Sequence, residues 1–418
     1  MRIDGSCVRV CGLDIELGRR KVYAIAIGKA AAPMAFALEG QLGDLFAGGF
    51  MSGSFPPPEV IGVKAMHEWQ LRTRWRWVDG GHPLPNRSSL TAAEETFQVL
   101  DRANAAKALI LFLISGGGSA MIEWPIDNNI SLLDLRRANK VLVNCGASIG
   151  EINAVRRAFS SVKGGELAAL APNCEQITLI VSDVPTGQEW NVASGPTLAP
   201  PADAPRAREV IDKYRLQDQL PPSILKVIDS QTERGILTSQ PRQHFVLLDN
   251  QTALDAAAQA ARNRNFITEI ADDISDQPIE EGCALLLDRL DRMRNIHRGS
   301  GKIVCLISGG EFSCPVRGDG IGGRNLETAL RLAIDKRLHQ LNAAAICAGT
   351  DGIDGNTRAA GAIIDSTTLN RAQAIGLEPH DFIERSDSYS FFTALGDVLS
   401  TGRTGTNVRD VRIVLADS

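Results

Sequence analysis

Short apolar runs alternate along this chain with longer stretches in which apolar residues recur at helical spacing. The run at 21–28 (KVYAIAIG) closes in glycine and leads into an alanine-rich helical segment from Ala30 to about Leu42, a strand-loop-helix unit. The same rhythm returns at 108–114 (ALILFLI), 177–182 (ITLIVS), 244–249 (HFVLLD), 303–308 (IVCLIS) and 343–348 (AAAICA). Helical stretches are predicted near 88–105, 131–143, 252–264, 279–295 and 325–339. This alternation predicts an α/β fold built on parallel sheet.

Two interruptions divide the pattern. The segment 196–205 (PTLAPPADAP) is rich in proline, and two short helical pieces separate it from the strand at His244, so a domain boundary is expected between about 200 and 240. At 418 residues the chain exceeds what one hydrophobic core usually supports, which gives an N-terminal domain over 1–225, a C-terminal domain over 240–418 and an expected cleft between them. A second irregular stretch, roughly 54–78, holds Pro56 to Pro58 with Trp69, Trp75 and Trp77, and reads as a packed surface insertion or a lid, with the insertion favoured. One echo joins the two halves. Leu113-Ile114-Ser115-Gly116-Gly117 has a counterpart in Leu306-Ile307-Ser308-Gly309-Gly310, each placing small residues at the carboxyl end of a predicted strand, where α/β folds bind ligands.

Composition narrows the partners. With 44% hydrophobic and 22% charged residues the chain is globular, and a net charge of -5 offers no general attraction to nucleic acid, so any anion must be bound locally. The eight cysteines lack a paired metal-ligand spacing: Cys7 and Cys11 form the only close couple, so reduced, mostly buried thiols are expected. The N-terminus has the pattern of neither a signal peptide nor a membrane anchor, and no apolar stretch reaches membrane-spanning length. Cytoplasm is the expected location and no membrane partner is expected.

Several glycine-rich turns carry candidate chemistry. Consecutive glycines let backbone N–H groups converge on a phosphate, which suits Ser115-Gly116-Gly117-Gly118-Ser119 and, less specifically, Gly309-Gly310; an ordinary strand-to-helix turn is the bland alternative for both. No Walker A sequence occurs, which disfavours a P-loop enzyme. A formal Gly-x-Gly-x-x-Gly at Gly318, Gly320 and Gly323 lacks the preceding strand of a dinucleotide site. Lys29, Lys163 (before Gly164-Gly165) and Arg324 (after Gly322-Gly323) stand beside such turns and are suitable cations for phosphoryl transfer, the alternative for each being a surface charge or cap partner. Asp183 closes the strand 177–182, while Asp351 and Asp354 lie in Thr350-Asp351-Gly352-Ile353-Asp354-Gly355. Carboxylates there suit Mg²⁺ or a hydroxyl proton, or simply organise the turn through backbone amides. His82, in Gly80-Gly81-His82-Pro83, is as readily structural as a substrate contact. No Gly-x-Ser-x-Gly elbow supports a hydrolase triad.

Taken in order, ten strings resemble the glycerate 2-kinase family, whose C-terminal part is called the MOFRL domain and whose older label is hydroxypyruvate reductase. They are AIGKAAAPMA (26–35), GGHPLPN (80–86), LISGGGSAM (113–121), INAVRRAFSSVKGGELA (152–168), SDVPTGQEWNVASGPT (182–197), LLDNQTALDAA (247–257), ISGGE (307–311), GDGIGGRNLETAL (318–330), AGTDGIDGNTRAAGA (348–362) and TGTNVRD (404–410). The resemblance implies a Rossmann-like N-terminal domain with mostly parallel sheet, a smaller α/β C-terminal domain and an active site in the cleft between them. It implies ATP- and Mg²⁺-dependent phosphorylation of D-glycerate on its 2-hydroxyl, with Lys29 and Arg324 as transition-state cations and Asp351 as base or metal contact. Ser115 to Ser119, Lys163-Gly164-Gly165 and Gly309-Gly310 become the nucleotide and substrate surfaces, and Asp183 a metal ligand. An NAD(P)H-dependent hydroxypyruvate reductase, or a kinase for a related short sugar acid, is the alternative. Three departures from the family pattern stand out. Leu326 replaces the common glutamine after Gly-Gly-Arg-Asn, Arg358 stands near a common acidic residue, and the helical segment that commonly precedes the first strand is absent. These departures leave Lys29 and Arg324 in place and leave the hydroxy acid open between glycerate and a neighbouring sugar acid.

Overall fold

The apolar runs fold as buried strands, and each predicted strand lies within two residues of an observed one. In the computed structural model, which describes residues 2–4, 7–53, 74–230 and 242–418, the chain divides into two compact units, Met1–Leu247 and Leu248–Ser418.

The N-terminal unit opens with an antiparallel meander that the sequence pattern did not reveal, β1 (Arg2–Asp4), β2 (Cys7–Val10) and β3 (Leu13–Glu16). Its main sheet contains β4 (Val22–Ile27), β5 (Phe46–Ser52), β6 (Trp75–Val78), β7 (Leu109–Ser115), β8 (Glu175–Val181) and β9 (Arg242–Leu248), in the order β6-β5-β4-β7-β8-β9. Every pairing from β6 through β8 is parallel, as the strand-helix alternation required. Strand side chains alternate between faces, and here they feed two cores. Ala24, Ala26, Leu109 and Leu111 pack with the helix Ala31–Leu42, whereas Ile25, Ile27, Ile110 and Phe112 pack with the helix Arg87–Ala105. Because β4 and β7 are covered on both sides, their loops are anchored to the buried centre of the sheet. The end of the 54–78 stretch is β6, with Trp75 buried against Phe46. Trp69 and the choice between lid and insertion fall on residues 54–73, outside the described residues.

Strand β9 departs from its expected place. Sequence reading opened the C-terminal domain with it, yet it lies at the edge of the first sheet beside β8. A helical layer formed by Leu132–Asn144, Ile149–Ala158, Ala207–Tyr214 and Pro222–Ser230 completes this unit around its own core.

The C-terminal unit contains β10 (Ile267–Ile270), β11 (Ile303–Ser308), β12 (Ala344–Gly349), β13 (Gly361–Asp365), β14 (Val398–Leu399) and β15 (Asp410–Asp417), ordered β10-β11-β15-β12-β13-β14. Only β10 and β11 are parallel. β15 runs between β11 and β12, antiparallel to both, and β13 pairs antiparallel with β12 and β14. The mostly parallel description therefore holds for the first sheet and not for the second. The helices Ile279–Ile296 and Arg324–Ile334 cover this sheet, and Leu326 is fully buried in their core. Its departure from the family pattern is thus an internal packing change.

Candidate active site

In the N-terminal unit the ends of β4 and β7 are locked together. The Lys29 N–H donates to Gly116 O at 2.9 Å, the Ala30 N–H to Ser115 Oγ at 2.9 Å, and Ser115 Oγ donates to Ile27 O at 3.3 Å. A side chain at Gly28, which sits at φ 114°, would place its Cβ 2.3 Å from Ser115 O, so only glycine permits this approach. Three candidate side chains converge on the next two glycines. A Cβ at Gly116 would lie 1.8 Å from Asp183 Oδ2, and one at Gly117 would lie 3.2 Å from Lys29 Cγ and 3.5 Å from His82 Cδ2. Lys29 follows β4, His82 follows β6 and Asp183 follows β8, so carboxyl ends of three parallel strands bring a cation, an imidazole and a carboxylate to one glycine turn. The turn leads into Gly118–Met121, where Ser119 Oγ meets Ser194 Oγ at 2.8 Å.

Lys163-Gly164-Gly165 requires correction. The Lys163 ammonium turns inward to Glu123 Oε2 at 2.7 Å, both side chains being no more than 2% exposed, and Ser160 Oγ donates to the other Glu123 oxygen at 2.6 Å. Burial lowers the Lys163 pKa, and the neighbouring Glu123 charge opposes that shift. The N–H groups of Gly164 and Gly165 donate to Ser194 O and Gly195 O at 3.1 and 2.7 Å. Cation and amides are all committed internally, so this segment is a structural latch and not an open phosphate surface. Gly309-Gly310 is similar. Gly310 N–H donates to Asn250 Oδ1 at 2.9 Å, and Cβ atoms at the two positions would lie 1.8 Å from Asn250 Oδ1 and 2.3 Å from Ser275 O. The cradle expected there is filled by the protein itself.

In the C-terminal unit Arg324 is the first residue of the helix Arg324–Ile334. Its Nε and Nη2 donate to Asp410 Oδ2 and Oδ1 at 2.6 and 3.3 Å, and Nη2 lies 2.7 Å from Glu311 Oε1. One guanidinium thus faces two carboxylates, one of them, Asp410, almost fully buried. Burial raises the Glu311 pKa, Asp410 adds to the rise, and Arg324 works against it. Gly323 is needed for close approach, since a Cβ there would meet Asp354 Cγ at 2.4 Å and Gly355 N at 2.5 Å. Through that gap Asp354 accepts the backbone N–H groups of Asn325 and Leu326, at 3.1 and 2.8 Å, together with Asn325 Nδ2 at 3.2 Å. It caps the helix from a separate loop, and burial pushes its pKa up to about 6 against the pull of these donors. Asp351 Oδ1 accepts the Ile353 N–H at 3.0 Å, the turn-organising role weighed from sequence.

Sequence reasoning assigned no role to Glu311, Asp410, Glu123 or Asn250. Glu311 and Asp410 lie inside matching strings (ISGGE and TGTNVRD), which was the available signal for them; no local pattern singles out Glu123. Among the described residues no group of three His, Cys, Asp or Glu side chains is placed to hold a metal ion, and no helix is long and apolar enough to cross a membrane.

An α/β unit with this turn, joined to a second unit whose sheet is built around its last strand, matches two family descriptions. Residues 6–229 match a domain of unknown function (DUF4147), and residues 304–410 match the MOFRL family. The chain is 33% identical over 406 residues to D-glycerate 2-kinase of Thermotoga maritima, spanning 96% of this chain and 92% of that protein. It is 32% identical over 424 residues to glycerate 2-kinase of Pyrococcus horikoshii, spanning 100% of this chain and 92% of the other. The crystal structure of glycerate kinase from Thermotoga maritima superimposes with a TM-score of 0.78 at 31% identity, covering 96% of this chain and 92% of that one. The protein belongs to the glycerate 2-kinase family, as its collinear strings implied.

Proposed function

We propose that the protein transfers the γ-phosphoryl group of ATP to the 2-hydroxyl of D-glycerate, giving 2-phosphoglycerate and ADP. The observation that carries this reading is the convergence of Lys29, Asp183 and His82 on Gly116-Gly117 at the carboxyl ends of three parallel strands. Phosphoryl transfer depends mainly on positioning and charge stabilisation. Lys29 supplies the cation at a turn whose missing side chains let Asp183, Lys29 and His82 approach its backbone. Mg²⁺ would be held by Asp183 and chiefly by the phosphates, as this ion usually is at nucleotide sites, and supplies neutralising charge there. Arg324, fixed by Asp410, is assigned as a second transition-state cation. The 2-hydroxyl proton goes to Asp351 or to Glu311, whose raised pKa suits a base. Asp351→Asn and Glu311→Gln separate the two, since only loss of the base lowers kcat with KM for glycerate unchanged.

All eight cysteines are unpaired, which fits a reducing cytoplasm. The reductase reading finds less support. Cβ atoms at Gly318 and Gly320 would lie 2.7 and 2.5 Å from Arg385 O, so these fingerprint glycines pack on the protein and close no strand. An ATP-dependent screen of short hydroxy acids, with the phosphate position of the product read by NMR, tests the proposal. NADH or NADPH oxidation with hydroxypyruvate, and no ADP formed from D-glycerate, would reverse it.

A further inference from the structure

The last turn of the helix Ile149–Ala158 carries two adjacent arginines, and only one has an acidic neighbour. Arg156 donates to Asn139 Oδ1 at 2.8 Å and to Asn153 Oδ1 at 3.4 Å, and burial lowers its pKa with the Glu123 charge opposing. Arg157 forms no ion pair among the described residues. Its Nη1 donates to Asn191 Oδ1 at 3.2 Å and its guanidinium lies 4.9 Å from the Trp190 ring centre. Burial pulls its pKa down to about 10 with no acidic group opposing. Beside it, Asn191 is 3% exposed, and while its oxygen accepts from Arg157, its Nδ2 has no acceptor among the described residues. A half-buried cation lacking a counter-charge and a buried amide donor lacking an acceptor stand together.

Uncompensated burial of such groups is costly, and an anion bearing two oxygens satisfies both. The helix C-terminus favours a cation in its last turn, but that leaves the Asn191 amide unexplained. The pair is also wired to the glycine turn. Ser119 Oγ meets Ser194 Oγ, Ser194 Oγ donates to Asn153 Oδ1 at 2.9 Å, and Asn153 Nδ2 donates to Asn191 O at 3.4 Å.

We propose that Arg157, oriented by Trp190 and Asn191, binds the carboxylate of the hydroxy-acid substrate and so sets the preference for an acid over a neutral analogue. This assignment rests on the kinase reading above. The competing source of an anion is a nucleotide phosphate, and the two are separable by kinetics.

The full-length protein is assayed for ADP formation with D-glycerate and with its uncharged methyl ester, varying ATP separately. Arg157→Met is expected to raise KM for D-glycerate roughly 10- to 100-fold, the range for a charged hydrogen bond. KM for ATP should stay unchanged, and the preference for acid over ester should shrink by the same factor. Arg157→Lys should restore part of it. Asn191→Asp, which sets a carboxylate beside Arg157 without changing volume, should weaken D-glycerate in the same way and guards against misfolding of the first variant. A raised KM for ATP with the acid preference intact overturns the assignment in favour of phosphate. Equal losses on acid and ester overturn it in favour of a structural role. Wild-type protein forming no ADP from D-glycerate sinks the kinase reading instead. Calorimetric binding of D-glycerate to wild type and Arg157→Met then decides the carboxylate site, and equal or absent binding overturns it.

Discussion

Lys29 and Lys163 look alike in the sequence, each a lysine beside a glycine turn, yet their surroundings assign them different work. Lys29 lies against Gly117 and Lys163 is sealed against Glu123. Nothing local distinguishes them, because the Lys163 partner lies 40 residues upstream and is selected by packing. Replacing Lys163 with Met leaves Glu123 buried and unpaired, and removing one member of a buried pair costs about 3–5 kcal/mol. Chemical denaturation should show that loss, while the folded fraction keeps its KM for D-glycerate. Lys29→Ala should do the reverse, holding stability and lowering turnover roughly 10²- to 10³-fold, the loss seen for one preorganised donor. Arg324→Ala should lower turnover as far and also cost stability, because it leaves Asp410 buried without its cation. Arg324→Lys is sharper still, since one ammonium cannot reproduce the paired contacts to Asp410 and the contact to Glu311. Near-normal ADP formation by folded Arg324→Lys would remove Arg324 from the mechanism.

At the level of elements, strands and helices that were nearly continuous in pattern were legible, and irregular or late ones were not. The helices Arg87–Ala105 and Ile279–Ile296 begin and end within a residue of expectation because their apolar spacing is long and regular. β15 was missed although its burial alternates along the strand, because it follows a glycine- and threonine-rich loop that reads as a terminus. Missing it made the second sheet look parallel. The cap on the helix Arg324–Ile334 was equally hidden, since its carboxylate comes from Asp354 in another loop. That cap predicts a pH dependence. The Asp354 pKa rises from 3.8 to about 6 on folding, so the native state holds the proton more tightly than the unfolded chain. Its contribution is complete below the unfolded value and is lost as pH climbs from about 4 through about 6. The melting temperature of Asp354→Asn should therefore lack a downward step that wild type shows across this window. Above about pH 6, where Asp354 is ionised, the variant should also be less stable by about 1–3 kcal/mol, because an amide cannot accept both backbone N–H groups. Parallel curves for the two proteins would show that Asp354 does not titrate there.

For the molecule as a whole, sequence strings identified the family more firmly than they located individual roles. Ten short matches in order are a property of the chain, whereas each role depends on what the fold places opposite a side chain. The metal is a case in point. The proposal gives the ion one carboxylate, Asp183, and otherwise the phosphates, so it should arrive with the nucleotide and leave the resting fold untouched. Chelation by EDTA should abolish ADP formation, restored by added Mg²⁺, while shifting the melting temperature by no more than about a degree. A large drop in melting temperature would point to a resident structural ion.

The position of β15 also bears on synthesis. Until translation has passed Asp417, β11 and β12 have no strand to join them. Asp410, which clamps Arg324, arrives on that same strand. A product halted by a premature stop before residue 410 contains Gly322 to Asn325 in full, yet it exposes two unpaired strand edges and leaves Arg324 without its clamp. Such fragments present the surfaces that aggregate or attract chaperones, so the cell is expected to clear them before any becomes a poorly controlled phosphotransferase.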